Sequence, residues 1–233
     1  MTPDPALPEN TVLQGDCRDL LPTLPAGSVD VIFADPPYNL QLDGELHRPD
    51  TSTVNTVDDD WDHFTSNATY DSFTRAWLAA ARDVMKPVSS LWVSGTYHNI
   101  FRVGAIMQDM GFWLLNTIAW YKRDATPNFN GVRFKNDVEW LIWAKRDEGA
   151  RYKFNHHLMK TLNDGKQHGS MWDIPKVKRY EQLLDDNRDR LHNTQKPLAL
   201  LERVILASSD PDDLILDPFF GTGTTGAAAV HLR

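Results

Sequence analysis

A carboxylate, two prolines and an aromatic ring stand together at Asp35-Pro36-Pro37-Tyr38. They follow Val29 to Ala34, an apolar run that reads as a buried parallel strand. In open α/β sheets the carboxyl edge of such a strand is where ligands bind. Two prolines stiffen the backbone there and remove two N–H donors. The Asp35 carboxylate and the Pro36 carbonyl are then acceptors in fixed positions, with Tyr38 as a flat face beside them. This set suits an amino group on a flat ring, such as a nucleobase. The same residue types also make an ordinary strand-ending turn, and the tetrapeptide alone leaves both readings open.

A second cluster lies near the end of the sequence. Gly221, Gly223 and Gly226 match G-x-G-x-x-G between a predicted strand, Asp213 to Asp217, and an alanine-rich helix. Glycines there let the backbone approach a ligand closely. Taken alone, the match fits a nicotinamide or flavin dinucleotide site. Three features oppose that reading. Asp217-Pro218-Phe219-Phe220 separates the strand from the first glycine, whereas the dinucleotide turn is tight. No acidic residue follows at the expected spacing. The fingerprint also normally opens a two-halved fold, and here it comes last. Just upstream, His192 to Pro197 precedes a helix over Leu198 to Ser208, with Pro197 suited to its first turn. Lys196 and Thr194 beside that N-terminus are placed to hold a carboxylate.

The elements needed to position these groups follow from periodicity. Thr11 to Gln14 reads as a short strand, after which Asp16 can accept from a ligand or cap the helix Arg18 to Leu24. Residues 39–66 lack periodicity and hold Asp58-Asp59-Asp60-Trp61-Asp62, which suggests a lid or substrate loop. Tyr70 to Met85 is an amphipathic helix whose Trp77 belongs to the core. Ser90 to Gly95 is a strand, and Ile100 to Met110 a helix ended by Gly111. Phe112 to Tyr121 and Glu139 to Lys145 read as strands. The insert between them, Pro127 to Asn136, is basic with interleaved aromatics, a composition that suits phosphates and unstacked bases or an ordinary hairpin loop. Residues 151–190 read as irregular.

The 233 residues, 41% hydrophobic and 24% charged, fit one α/β domain with a full core. A single cysteine, Cys17, excludes an intrachain disulfide and a cysteine-cluster metal site. No signal peptide and no membrane-length apolar run is evident. The net charge of −8 is uneven: residues 122–179 carry 13 Lys or Arg against 7 Asp or Glu, while the rest is strongly acidic. The basic stretch suits a polyanion.

The pair of motifs is more specific than either member. D-P-P-Y early and D-P-F-F-G-T-G-T-T-G late, with H-N-T-Q-K-P before the latter, resemble the β-class of amino-group DNA methyltransferases. Similarity extends from Gly15 to Gly226. It is greatest to the cell-cycle-regulated adenine methyltransferases of GANTC sites, over Asp35 to Leu42, Tyr97 to Val103, Pro127 to Gly131 with Arg133-Phe134, and Asp217 to Ala229. The resemblance implies a Rossmann-like methyltransferase fold, α/β, with a mostly parallel sheet, helices on both faces and permuted order, the catalytic half preceding the cofactor half. It implies S-adenosyl-L-methionine as cofactor and no metal. Double-stranded DNA is the implied partner, with a homodimer as a further option. It implies a cytoplasmic, bacterial or phage-encoded enzyme without membrane attachment.

It also implies roles. Asp35, Pro36, Pro37 and Tyr38 form the catalytic turn, in which Asp35 and the Pro36 carbonyl hold adenine N6 and Tyr38 stacks on the flipped base. Asp16, Cys17, Asp35, Thr194, Lys196, Asp217, Phe219, Gly221, Gly223 and Thr224 form the cofactor pocket. Asn39, Leu42, Arg48, Lys122, Asn128, Arg133 and Lys135 contact DNA, within a target-recognition region inserted at about 122–190 of a single domain, 1–233. N4-cytosine methylation uses the same amine chemistry, although serine is commoner there in place of Asp35. A non-catalytic DNA-binding remnant is the other alternative. Relatives continue past the glycine-rich helix into another strand, and the GANTC relatives into a further DNA-binding domain; this sequence stops at Arg233 before either. Asn193 also replaces the family's usual proline.

Overall fold

The computed structural model describes residues 7–40, 46–47, 53–54, 62–128, 131–184, 188 and 194–232. In chain order the elements are α1 (Cys17–Leu20) with a 3-10 turn Leu21–Thr23, β1 (Val29–Ala34), β2 (Leu46–His47), β3 (Thr53–Val54), α2 (Asn67–Val84), β4 (Met85–Gly95), α3 (Ile100–Asp109), β5 (Trp113–Tyr121), β6 (Val138–Lys145), α4 (His156–Thr161), β7 (Met171–Asp173), α5 (Leu198–Ser208), β8 (Ile215–Leu216) and α6 (Thr224–His231). Six strands form one sheet in the order β7-β5-β6-β4-β1-β8, and β2 and β3 pair separately. β1 runs parallel to both β4 and β8. β6 is antiparallel to β4 and β5, and β5 is parallel to β7. Five strands therefore point one way and β6 alone is reversed, a mostly parallel Rossmann-like sheet.

The side chains of the central strands alternate between two cores, as period-2 geometry requires. Ile32 and Ala34 of β1, Leu91 and Val93 of β4, and Ile142 and Ala144 of β6 face α2 and α3. Val31 and Phe33, Trp92, and Leu141 and Trp143 face α5 and α6. Each fully buried aliphatic or aromatic side chain contributes about 1.5–3 kcal/mol. The Trp92 and Trp143 rings stack with centroids 4.9 Å apart at 6°. Their indole N–H groups donate to Ser208 and Ser90, so the polar atoms they bury are satisfied. Ser66 caps α2 by accepting from the Thr69 N–H at 3.1 Å, and Gly111, at φ +83°, ends α3.

Several expected elements differ. Thr11 to Gln14 belongs to no strand; Val12 and Leu13 are exposed there, and without a neighbouring edge two apolar residues do not hold a strand. The predicted helix Arg18 to Leu24 is split, because Pro22 lacks an N–H and the chain tightens into the 3-10 turn. The last strand shrinks to Ile215–Leu216. Residues 151–190 are less irregular than expected and contain α4 and β7. The span 122–190 is also not wholly an insert. β6 lies inside it and pairs with β4 on one side and β5 on the other. The part outside the sheet is the β5–β6 loop and much of the stretch after β6.

Candidate active site

β1 delivers Asp35 to the carboxyl edge of the sheet. The next residues turn sharply, held by two residues, Asp62 and Tyr70. Asp62, only 3% exposed, accepts the backbone N–H groups of Tyr38 at 2.5 Å, Asn39 at 2.8 Å and Leu40 at 3.1 Å. The Tyr70 hydroxyl donates to the Pro37 carbonyl at 2.9 Å and is itself held by the Asn99 amide at 3.1 Å. Asn39 takes the left-handed conformation at φ +54°, a region asparagine tolerates better than most residues. The Pro37 carbonyl is thus consumed internally. Pro36 and Pro37 are both buried.

The Asp35 carboxylate is engaged on both oxygens. Oδ1 accepts the Tyr38 hydroxyl at 2.7 Å. Oδ2 accepts the Lys196 ammonium at 2.5 Å, from 161 residues away. The Tyr38 hydroxyl also lies 2.9 Å from Ser94 Oγ on β4 and 3.5 Å from Glu139 Oε2 on β6. Glu139 Oε1 accepts Lys122 at 2.6 Å, and Glu139 Oε2 is 3.9 Å from Lys196 Nζ. Two carboxylates and two ammonium groups alternate in a buried chain, which makes their burial tolerable. Burial opposes the Lys196 charge, but Asp35 and Glu139 outweigh it and lift the ammonium above the ordinary lysine value. Burial likewise opposes the Glu139 charge, and Lys196 and Lys122 override it, holding its carboxyl below the ordinary value. Burial, then the Asp35 and Glu139 charges, push the Tyr38 phenol well up. The Tyr38 ring is 9% exposed, with Lys196 Nζ 5.3 Å from its centroid. A base stacking on it must use the other face or displace Lys196.

Asp35 forms one wall of a cavity of about 780 Å³ whose other walls come from the Gly15–Arg18 stretch, the start of α2 and, from the opposite end of the sequence, Thr194–Lys196 and the Asp217–Thr225 turn. Of the expected cofactor residues, Asp16, Cys17, Asp35, Thr194, Lys196, Asp217, Phe219, Gly221 and Thr224 line it. Gly223 does not line it but shapes it. It sits at φ +75°, and a Cβ there would lie 2.8 Å from the Phe220 ring. Phe219 meets Trp77 edge-on at 5.3 Å, so Trp77, placed in the core as expected, backs the cavity wall. A larger groove of about 1760 Å³ runs along the β8 edge, lined partly by residues 7–15. It shares Gly15, Cys17, Asp217, Pro218, Phe220, Gly221 and Thr225 with the smaller cavity, but Asp35 and Lys196 line the smaller one alone.

The acids of the cavity have protein partners. Asp16 caps α1 through the Arg18 N–H at 2.8 Å and pairs with the Arg18 guanidinium at 2.6 Å. That hydrogen bond holds its carboxyl below the usual value. Asp217 accepts the Phe219 N–H at 2.9 Å and the Thr225 hydroxyl at 2.6 Å, which closes the glycine-rich turn onto α6. Burial still pushes its carboxyl up to about 6. Burial also pushes the Cys17 thiol up to about 11, so it stays a neutral apolar wall. Among the described residues no cluster of His, Cys, Asp and Glu is placed to hold a metal ion.

The expected DNA contacts divide. Leu42 and Arg48 lie outside the described residues. Lys122 points inward to Glu139, with its side chain 14% exposed, so its charge is spent inside the protein instead of being offered to a phosphate. Asn39 is buried too, and its side-chain oxygen has no partner among the described residues. Asn128 shapes the β5–β6 loop by accepting the Val132 N–H at 3.2 Å. Arg133 and Lys135 are exposed around a fully exposed Phe134. Burial and the Arg133 charge lower the His98 imidazole below its ordinary value, which sets Arg133 near the carboxyl end of β4. Sequence reasoning missed Asp62, Ser94, Glu139, Tyr70 and Asn99. A lone acid opening the apolar run of β6 was the available signal for Glu139.

A mostly parallel sheet with an acid–proline turn and a glycine-rich turn converging on one cavity is the architecture of a methyltransferase. The family model for DNA methylases of the N6/N4 type matches residues 29–233, and the chain belongs to that family. The type II methyltransferase M.HinfI of Haemophilus influenzae is 46% identical over 223 residues, covering 96% of this chain and 62% of that protein. M2.MboI of Moraxella bovis, another type II methyltransferase, is 42% identical over 222 residues, covering 95% and 79%. The chain thus spans under two thirds of the length of M.HinfI. Among solved structures, the PvuII cytosine-N4-specific DNA methyltransferase superposes with TM-score 0.71 at 22% identity over 94% of this chain and 77% of that one. The M1.HpyAVI–SAM complex does so with TM-score 0.62 at 23% identity over 88% and 78%.

Proposed function

We propose that this chain is the catalytic part of an S-adenosylmethionine-dependent DNA methyltransferase acting on adenine N6 in double-stranded DNA, with GANTC as target. The observation that carries the reading is the presence of Asp35 in the wall of a cavity built by the Asp217–Thr225 turn. Family membership and the type II relatives support DNA as substrate and a restriction–modification setting. Aspartate rather than serine at position 35 favours adenine over cytosine.

The cavity fits the cofactor. Phe219 and Phe33 offer apolar walls, Asp35 and Asp217 face a cation, and the Gly223 turn keeps the wall open where a Cβ would push Phe220 inward. When bound, S-adenosylmethionine supplies a sulfonium methyl: the amine lone pair forms the N–C bond, the C–S electron pair stays on sulfur, and one amino proton departs. The protein's part is to prepare the amine. An exocyclic amino lone pair is delocalised into its ring and attacks poorly. Asp35 and the Pro36 carbonyl accept its two hydrogens and draw the nitrogen toward a tetrahedral shape, with the lone pair aimed at the methyl group. This is preorganised polar stabilisation with positioning. Asp35 is the acceptor placed to take the departing proton. A stacked base cannot reach this edge, so the target leaves the helix. Exposed Arg133 and Lys135 are the cations of the β5–β6 loop offered to the duplex.

The test incubates the protein with labelled S-adenosylmethionine and duplexes with or without GANTC, alongside Asp35→Ala. Label in adenine of GANTC duplexes, abolished by Asp35→Ala, is the expected result. Label in cytosine moves the chain to N4 chemistry. Binding of duplex without transfer makes it a DNA-binding remnant.

A further inference from the structure

In this structure the reactive carboxylate is not free. Asp35 Oδ2 holds the Lys196 ammonium at 2.5 Å, and the same ammonium lies over the Tyr38 ring. An amine arriving at Asp35 gathers positive charge as it takes a methyl group. An ammonium bonded to the same oxygen opposes that charge and neutralises the carboxylate meant to stabilise it. Lys196 also cannot simply leave. Its side chain is 8% exposed, and a buried ammonium needs a partner. A second carboxylate oxygen, Glu139 Oε2, waits 3.9 Å from Nζ. A shift of about 1 Å brings Nζ into ordinary hydrogen-bond range of it. Glu139 is anchored from its other oxygen by Lys122 at 2.6 Å, so that among the described residues Oε2 accepts only the Tyr38 hydroxyl, at 3.5 Å.

We propose that Lys196 is a latch with two seats, Asp35 in the resting site and Glu139 when the amino group is bound, and that Glu139 is therefore a positioning residue for the transfer. The inference rests on the methyl-transfer reading and adds a residue to it. In the resting protein Lys196 keeps Asp35 paired and the turn closed. When the amino group arrives, Lys196 moves to Glu139, Asp35 recovers its full charge, and the Tyr38 face is uncovered. Lys122 keeps the Glu139 carboxylate in place throughout.

Two measurements decide it. In a crystal structure of Asp35→Asn, which removes the charge of the first seat, Lys196 Nζ is expected within hydrogen-bond distance of Glu139 Oε2. An ammonium that remains on residue 35 or turns to solvent overturns the proposal. In single-turnover transfer at saturating cofactor, Glu139→Gln strands Lys196 on Asp35 and slows methylation at least about tenfold. The KM for duplex and the calorimetric Kd for S-adenosylhomocysteine change less than about threefold, since neither ligand is bound by Glu139. Adding Lys196→Met to Glu139→Gln then recovers at least about threefold in the transfer step, because the blocking charge is gone. A Glu139→Gln protein at the parental rate, or a double variant slower than the single one, refutes the latch. If the parent protein labels no DNA, the methyl-transfer reading fails, and the Asp35→Asn structure still decides where Lys196 sits.

Discussion

Replacing Asp62 with alanine is expected to loosen the catalytic turn while leaving the cavity intact. Asp62 Oδ1 accepts the Tyr38 and Asn39 N–H groups and Oδ2 accepts that of Leu40. Alanine orphans all three donors, two of them buried and that of Leu40 half-buried. Each costs about 1–3 kcal/mol when left unmade, and water entering the gap recovers part of this. A net loss of about 3–5 kcal/mol follows, a large share of the ~5–15 kcal/mol by which domains are stable. For a chain of this size it lowers the Tm by roughly 10 °C. Asp62→Asn is the graded control. Its amide oxygen can keep the two bonds of Oδ1, but its NH₂ group faces the Leu40 N–H, donor against donor, for a loss of about 1–2 kcal/mol. A catalytic group misplaced by about 1 Å loses about 10²-fold in rate. Transfer is therefore expected to fall about 10²-fold in the alanine variant and about tenfold in the asparagine variant. Asp62 does not line the cavity, so the calorimetric Kd for S-adenosylhomocysteine holds within about threefold. An Asp62→Ala protein that melts within about 2 °C of the parent and methylates at its rate refutes the account.

Other outcomes follow from the same geometry. Burial raises the Asp217 carboxyl from its ordinary 3.8 to about 6, so the folded state binds more protons than the unfolded state between those values. Stability from this group is thus full below the unfolded value of 3.8 and is lost, by about 3 kcal/mol in all, as pH rises through 6, and the difference between the pH–stability curves of the parent and Asp217→Asn isolates it. Gly223→Ala combines a positive φ with a Cβ 2.8 Å from Phe220; it is expected to cost about 1–2 kcal/mol in denaturant melts and to weaken S-adenosylhomocysteine binding roughly tenfold by calorimetry. Arg133→Ala and Lys135→Ala each lower duplex affinity regardless of sequence and reduce the slope of log K against log salt by about 1. Lys122→Met, whose charge is spent on Glu139, leaves that slope unchanged.

What could be read from residues alone was whatever depends on near neighbours in sequence. The apolar run Val29 to Ala34 became β1, and α5 begins and ends where the periodicity from Leu198 to Ser208 placed it. The acid–proline and glycine-rich turns announced themselves through residue types that only tight turns and close backbone approach require. What escaped was decided by partners far away. Lys122 sits in a basic, polar stretch and looked like a phosphate contact, yet Glu139 turns it inward. Asp62 was one of several acids in a row, and only the packing of the turn singles it out. Strand lengths failed for a similar reason: Ile215 and Leu216 pair in register with β1, whereas Leu214 gives its carbonyl to the Asp30 and Val31 N–H groups and its own N–H to the Asp30 carboxylate, so β8 is two residues long.

The place of β1 in the sheet has a consequence for how the molecule comes to be made. It is an inner strand, flanked by β4 and by β8, and β8 is synthesised long after it. Until then its far edge, with the sequence Val-Asp-Val-Ile-Phe-Ala, exposes unpaired backbone next to apolar side chains, a hazard for association with other chains. The segment that ends this exposure is the one that brings Lys196 to Asp35 and the glycine-rich turn to the cavity. Covering the exposed edge of β1 and pairing Asp35 with Lys196 are therefore one event in folding, and the chain cannot assemble the cavity before that edge is covered.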